Sequence, residues 1–213
     1  MPRDGLLTVG NHIIEAPFAW SCRSQEIKLA FSNILDALAA DPAVRVIRAP
    51  ERPVPDTIYD NLPHHDSQRQ QWAVNNSRPC FDAADFMRFG KTLLGQLSHV
   101  TNQSGVEWLR QSVPDGYTVE IVDVNDAHAM HIDATIMPLR HGLLVYNPER
   151  VNEEALRRHS AIKDWQLVPY PFKPAPRKWP PRYMTSGWLL MNTLSLDEER
   201  VRMAASHFWP LRH

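Results

Sequence analysis

Hydrophobic and polar positions fall in blocks that repeat in order along the chain, although their residues differ. Leu6 to Val9 is apolar and β-prone, Gly10-Asn11 is a turn pair, and Ile13-Ile14 resumes the apolar run, which predicts a hairpin. From about Ser24 to Ala40 the spacing turns helical. Ile27, Phe31, Ile34, Leu35 and Leu38 share a stripe, Ser24 stands at the cap, and Pro42 ends the run. Val44 to Ile47 then reads as a strand.

The order recurs. Phe86 to Phe89, the turn Gly90-Lys91, and Thr92 to Leu94 predict a second hairpin. A helix from about Asn102 to Val113 follows, with Val106, Leu109 and Val113 on one face, and Tyr117 to Val122 alternates as a strand. A third copy begins at His131. Ile132 to Met137 reads as a strand, Arg140-His141-Gly142 as a turn, Leu143 to Tyr146 as the return strand, Asn152 to about Ile162 as a helix, and Trp165 to Tyr170 as a strand. A fourth opens at Ser186, turns at Asp197-Glu198 and resumes over Arg200 to Ala204.

The pattern predicts an α/β chain of three ββαβ units and half a fourth, at about 1–49, 80–124, 130–170 and 184–213. Residues 50–79 are an insertion rich in Pro, Asn, Gln and His, and residues 169–181 form a Pro-rich loop. Such units bury their sheets by stacking side by side, and an incomplete ring leaves open edges. The expectation is therefore a piece of a longer protein. The plainer alternative is a short α+β domain whose elements merely repeat.

Composition narrows the function classes. The 213 residues carry 23 Lys plus Arg against 24 Asp plus Glu, a net charge of -1, so no strong field favours nucleic acid or an anionic membrane. With 43% hydrophobic residues the chain can bury a core, yet no apolar run is long enough for a membrane span. Cys22 and Cys80 are too few for a disulfide scaffold or a structural zinc site, and a reducing, cytoplasmic setting is expected. Gly is scarce, 8 against 18 Pro, and neither common phosphate-loop motif occurs. No cofactor is expected.

Candidate chemistry gathers where each unit's first strand begins: Arg3-Asp4, then Asp82 and Asp85, then His131 and Asp133, then Thr185 and Ser186. Around a common axis these ends converge. His131-Ile132-Asp133, read on a strand, puts an imidazole and a carboxylate on one face. A lone His-x-Asp is usually a surface feature, Asp82 and Asp85 can be loop caps, and Asp4 a turn residue; only their joint placement points to a site. Several carboxylates with one His suit a hard metal or a guanidinium. The spacing fits no metal-binding loop, so no metal is expected. A guanidinium is planar, always charged, and takes carboxylates at its edges.

These residues resemble the amidinotransferase family over essentially the whole chain. The likeness rests on Met1 to Asp4, Gly10 to Trp20, Pro79 to Phe86, Met130 to Thr135, Asn147 to Arg150 and Met184 to Val201. It implies a partial α/β propeller, a pentein-type ring with about three and a half of five units present. It also implies transfer of the amidino group of L-arginine to an amine, through an amidino-cysteine, with release of ornithine. By motif match His131 resembles the general acid/base and Asp82 its catalytic partner. Asp4 and Asp133 resemble the carboxylates that grip the guanidinium, Arg150 the residue that holds the donor's carboxylate, and Thr185 and Ser186 a hydroxyl pair on the donor. The family nucleophile lies in a His-Cys-Trp-x-Cys stretch that this chain lacks, so these residues are expected not to turn over alone. Cys22 matches nothing catalytic, and Cys80 reads as a small buried hydrophobe. His128, with Met130, marks the acceptor pocket; an Asn stands at the place of His128 in the glycine-using enzymes, which turns the expectation toward a bulkier, saxitoxin-type amine. The expected partners are L-arginine and an amine, with a homodimer as the assembly considered.

Two other readings compete. Guanidine hydrolases of the arginine deiminase type share the ring and use water. A non-catalytic propeller scaffold would need none of these charges, and its Trp-Asp signature is absent: Asp164-Trp165 runs the other way.

Overall fold

Two-residue loops close the first two hairpins. β1 (Leu6–Val9) pairs antiparallel with β2 (His12–Glu15), and Val9 opposes His12 across Gly10-Asn11. β3 (Arg45–Ile47) adds parallel to β2 after the helix α2 (Glu26–Ala39). The second unit repeats this with β4 (Phe86–Phe89), β5 (Thr92–Gly95), α3 (Gln103–Ser112) and β6 (Thr118–Ile121). Gly10 and Gly90, at φ +58° and +61°, take the first loop position, where a side chain would be strained. The third unit has β7 (Ile136–Arg140), β8 (Leu143–Tyr146), α4 (Glu153–Arg157) and β9 (Gln166–Pro169). A last hairpin joins β10 (Thr193–Ser195) to β11 (Val201–Met203), and β10 lies beside β7. One helical turn, α1 (Pro2–Gly5), precedes β1. The computed structural model describes residues 2–59, 72–126, 130–173 and 191–203.

The described residues thus form three three-stranded sheets and one two-stranded sheet, in an α/β arrangement. Neighbouring units share cores. Val9 and Ile14 of the first pack with Phe81, Leu93, Val106 and Leu109 of the second. Phe89, Leu94 and Val122 of the second pack with Ile136, Leu144 and Leu156 of the third. Lateral stacking buries the faces that meet between units, which no unit could do alone. No helix among the described residues is long and apolar enough to cross a membrane.

Several elements depart from the expected pattern. Ser24 is not a cap: Ser21–Arg23 forms a 3₁₀ turn, and α2 starts behind Gln25, which makes no side-chain capping bond. Ile34 is 56% exposed, because only Ile27 and Leu35 of the α2 stripe reach full burial. α4 stops at Arg157, and turns carry Ile162 back into the core. Asn102 and Asn152 do cap α3 and α4, accepting from Gly105 N and Ala155 N.

The insertion is fastened where it is described. Asp56 accepts from both Arg52 and Arg78, and these arginines donate to the carbonyls of Phe18 and Ala19. Asn102 does the same one layer deeper: its Oδ1 accepts from Cys80 N, and its Nδ2 donates to Asn75 O and Arg78 O. The segment leading to Asp82 is therefore pinned to the start of α3. A Cβ on Gly105 would stand 2.1 Å from Cys80 O and 2.7 Å from Cys80 C, both backbone atoms. Gly105→Ala is expected to cost about 3 kcal/mol by overpacking, read as a lowered urea midpoint with unchanged m-value.

Candidate active site

In each of the first three units the first strand is preceded by a single helical turn that carries acid. α1 holds Asp4. A 3₁₀ turn at Ala83–Asp85 holds Asp85 and begins behind Asp82. A third turn, Ile132–Ala134, holds Asp133 and begins behind His131. The second turn touches both others, and the Arg3–Asp133 ion pair joins the first to the third. The expected strand over Ile132 to Met137 is corrected here: β7 begins only at Ile136. Thr135 N donates to Ile132 O and closes the turn, so His131 and Asp133 do not share a strand face. His131 turns to Asp82 and Asp133 to Arg3. Among the described residues His131 is the one non-glycine residue with positive φ, at 62°. That strain is held by the packing of buried Ile132 and Ile136 behind it.

Asp4, Asp82 and His131 bring one ligand atom each within 4.8 Å of the others. Asp82 Oδ2 lies 3.1 Å from His131 Nε2 and accepts from Arg23 Nη1 at 2.9 Å. Asp4 Oδ2 accepts from Arg23 Nη2 at 3.2 Å. Arg23 Nε donates to Glu26 at 2.8 Å, and the guanidinium lies over the Phe18 ring, 4.1 Å from its centroid. Arg3 Nη1 donates to Asp133 Oδ2 at 2.5 Å. Proximity alone would admit an ion at Asp4, Asp82 and His131. Two of these ligands, however, already accept from one guanidinium.

Burial opposes a charge on His131, but its bond to Asp82 and the fields of Asp85, Asp82 and Asp4 outweigh it, and its pKa stands at about 9. His131 is therefore an imidazolium at neutral pH and donates to Asp82. Asp85 is fully buried, and that burial raises its carboxyl to about 6 against the pull of His131, Ser98 and Thr101. It accepts from Gln96 Nε2, Ser98 Oγ and Thr101 Oγ1, and Thr101 Oγ1 in turn accepts from Asp82 N. Asp85 thus organises the loop behind Asp82 and is no simple cap.

Arg150 lies deeper than its expected role requires. Its side chain is 1% exposed, and Nε stands 2.6 Å from Asp126 Oδ2. Burial lowers its pKa, while Asp126, Asp133 and Asp85 act against that. Met130 is half-buried against a cluster that includes Ala19, Ile58 and Cys80. His128, Thr185 and Ser186 lie outside the described residues. Asp126 and Arg23 escaped the sequence reading. Arg23 sits in a polar run, Ser21 to Glu26, with no local signal.

The two thiols differ. Cys80 is fully buried and burial pushes its thiol up to about 12, whereas Cys22 is exposed. Ellman's reagent should titrate one thiol quickly in the native chain and two in urea. Two fast native thiols would contradict this burial.

The chain is 38% identical over 203 residues to an L-arginine:L-lysine amidinotransferase of Pseudomonas savastanoi pv. phaseolicola, covering 94% of this chain and 54% of that protein. It is 38% identical over 214 residues to a mitochondrial glycine amidinotransferase of Xenopus tropicalis, covering 97% and 50%. Among solved structures, an amidinotransferase of the saxitoxin biosynthetic pathway from Microseira wollei matches with a TM-score of 0.78 at 36% identity, over 94% of this chain and 56% of that one. No family model matches. The chain spans about half the length of the curated relatives it matches.

Proposed function

We propose, from the premise that this chain belongs to the amidinotransferase family, that it supplies the arginine-gripping and proton-transfer part of an enzyme that moves the amidino group of L-arginine to an amine. In this reading the chain contributes about three and a half of five ββαβ units of a pentein-type ring, an α/β propeller. Asp4 and Asp133 grip the donor guanidinium. His131, charged and oriented by Asp82, protonates the departing ornithine nitrogen as a cysteine thiolate bonds to the amidino carbon. Neutral His131 then takes the proton of the incoming amine, and the thiolate is released as the new C–N bond forms. Arg150 exchanges Asp126 for the donor carboxylate, Thr185 and Ser186 bond the donor, and His128 with Met130 shape the acceptor pocket. The acceptor is read as a saxitoxin-type amine rather than glycine, in a cytoplasmic enzyme that works as a homodimer without metal or cofactor.

One observation carries this reading: the carboxylates already receive guanidinium groups, Arg23 on Asp4 and Asp82 and Arg3 on Asp133. The cluster is complementary in charge and edge geometry to the head of an arginine. Neither thiol is suited to the nucleophile's part, since Cys80 is buried with its thiol pushed up and Cys22 matches no catalytic motif.

Calorimetry with L-arginine and L-citrulline tests the reading. The citrulline head is isosteric and uncharged, so arginine should bind at least about tenfold tighter, the scale of one charge-assisted bond. Asp133→Asn should remove most of that preference. Equal binding of the two ligands would sink the proposal. Arginine should bind without formation of ornithine by these 213 residues.

A further inference from the structure

We infer that Arg23 is a resident positioning residue of this site, whose guanidinium stays in place to set Asp4 against Asp82 when a substrate guanidinium enters. The inference rests on the proposed arginine site and adds a residue to it. A ready alternative is that Arg23 merely fills the place of the substrate and is displaced.

The geometry favours a fixed group. Its three kinds of N–H are divided among three carboxylates: Nε to Glu26, Nη1 to Asp82 and Nη2 to Asp4. The flat face rests on Phe18. Phe18 is itself held, since its carbonyl accepts from Arg52 and Arg78. Arg23 is 20% exposed in its side chain, while Arg3, which bonds Asp133 through Nη1, is 49% exposed. An entering guanidinium therefore meets a loosely held cation at Asp133 and a locked one between Asp4 and Asp82.

The locking has a chemical consequence. One oxygen, Asp82 Oδ2, serves both Arg23 and His131. Arg23 thus opposes a second cation beside Asp82, while Asp82, Asp85 and Asp4 favour it on His131. Removing Arg23 leaves those acids facing His131 with less compensation, so its pKa rises. Asp4 and Asp82 then also lose their common anchor.

The test is made on the 213-residue chain with three readouts. In the wild type, the Arg23 Nε–H signal should persist through saturation with L-arginine. Its loss would show displacement and overturn the inference. Arg23→Gln should raise the His131 midpoint, followed by its Cε1 proton, and weaken L-arginine about tenfold or more. Tighter arginine binding, or an unmoved midpoint, would overturn the inference. Arg23→Lys keeps the charge without the fork: the His131 midpoint should stay near that of the wild type, with affinity lowered several-fold. This variant decides the matter if the glutamine form does not fold, because unchanged or tighter binding again overturns the inference. If the wild type binds no arginine, the proposed site reading fails. The midpoint shift in ligand-free Arg23→Gln still decides the role of Arg23.

Discussion

Asp82→Asn should bring the His131 midpoint down from about 9 toward its ordinary 6.5. The carboxylate is 4% exposed in its side chain and holds that imidazole by a 3.1 Å hydrogen bond. Without it, burial works against the imidazolium with only Asp85 and Asp4 to offset it. The stability consequence has a definite sign. A histidine whose folded pKa exceeds its unfolded value binds its proton more tightly when folded. Its contribution is fully present below 6.5 and is lost as pH rises to about 9. The wild type should lose on the order of 3 kcal/mol across that window, and Asp82→Asn should show little of this slope. Asp85 acts in a separate, lower window. Its folded pKa of about 6 exceeds 3.8, so stability also falls as pH rises between those values, in both proteins. Urea melts from pH 3.5 to 9.5 with proton NMR of His131 check both statements. L-Arginine binding should fall by about a hundredfold or more in Asp82→Asn, since the variant disturbs His131 and the anchor of Arg23 together. A variant with wild-type affinity would remove Asp82 from the site.

Arg150→Met should be the most destabilising of the substitutions considered. The guanidinium is 1% exposed and its loss leaves Asp126, 17% exposed, without its 2.6 Å partner. Breaking such a pair from one side costs about 3–5 kcal/mol, a large share of what holds a domain together. Replacing both partners, as Arg150→Met with Asp126→Leu, should recover part of this loss, because no charge is then left buried without compensation. A double-mutant cycle by urea denaturation reads the coupling. If the single variant costs under about 1 kcal/mol, the ion pair is not the anchor of this corner.

The proposed donor-carboxylate role of Arg150 follows from the same geometry only if Asp126 lets go. Two arginines in this chain thus stand in opposite conditions. Arg3 is half-exposed on Asp133 and easily exchanged, whereas Arg150 is sealed beside Asp126. Calorimetry with agmatine, which has a guanidinium and no carboxylate, separates the two ends. Agmatine binding close to that of L-arginine would mean that Arg150 takes no part in recognition.

Much of the fold was legible without coordinates, because its signals are local. Apolar runs at Leu6 to Val9, Phe86 to Phe89 and Leu143 to Tyr146 became strands, the turn pairs Gly10-Asn11 and Gly90-Lys91 became hairpin loops, and Asn152 became a cap. The placement of acid ahead of each first strand was also visible. The local form of those acidic segments was not. His131-Ile132-Asp133 looks extended by its residues, yet a positive φ at His131 and a bond from Thr135 N to Ile132 O wind it into a turn. No residue type announces that φ, since histidine pays for it through packing made elsewhere.

By itself the sequence determined the order of strands and helices, the faces that pack, and which titratable groups stand near the mouths of the units. Those properties arise from spacings of two to four residues, and the chain carries them wherever it is cut. Tertiary structure decided the pairings: Arg23 with Asp82 across 59 positions, His131 with Asp82 across 49, and Arg3 with Asp133 across 130. A charge can meet any opposite charge that stacking brings near, so its partner is not encoded in its neighbours. It is chosen by how the buried sheets align, and that alignment is a property of the whole packed core.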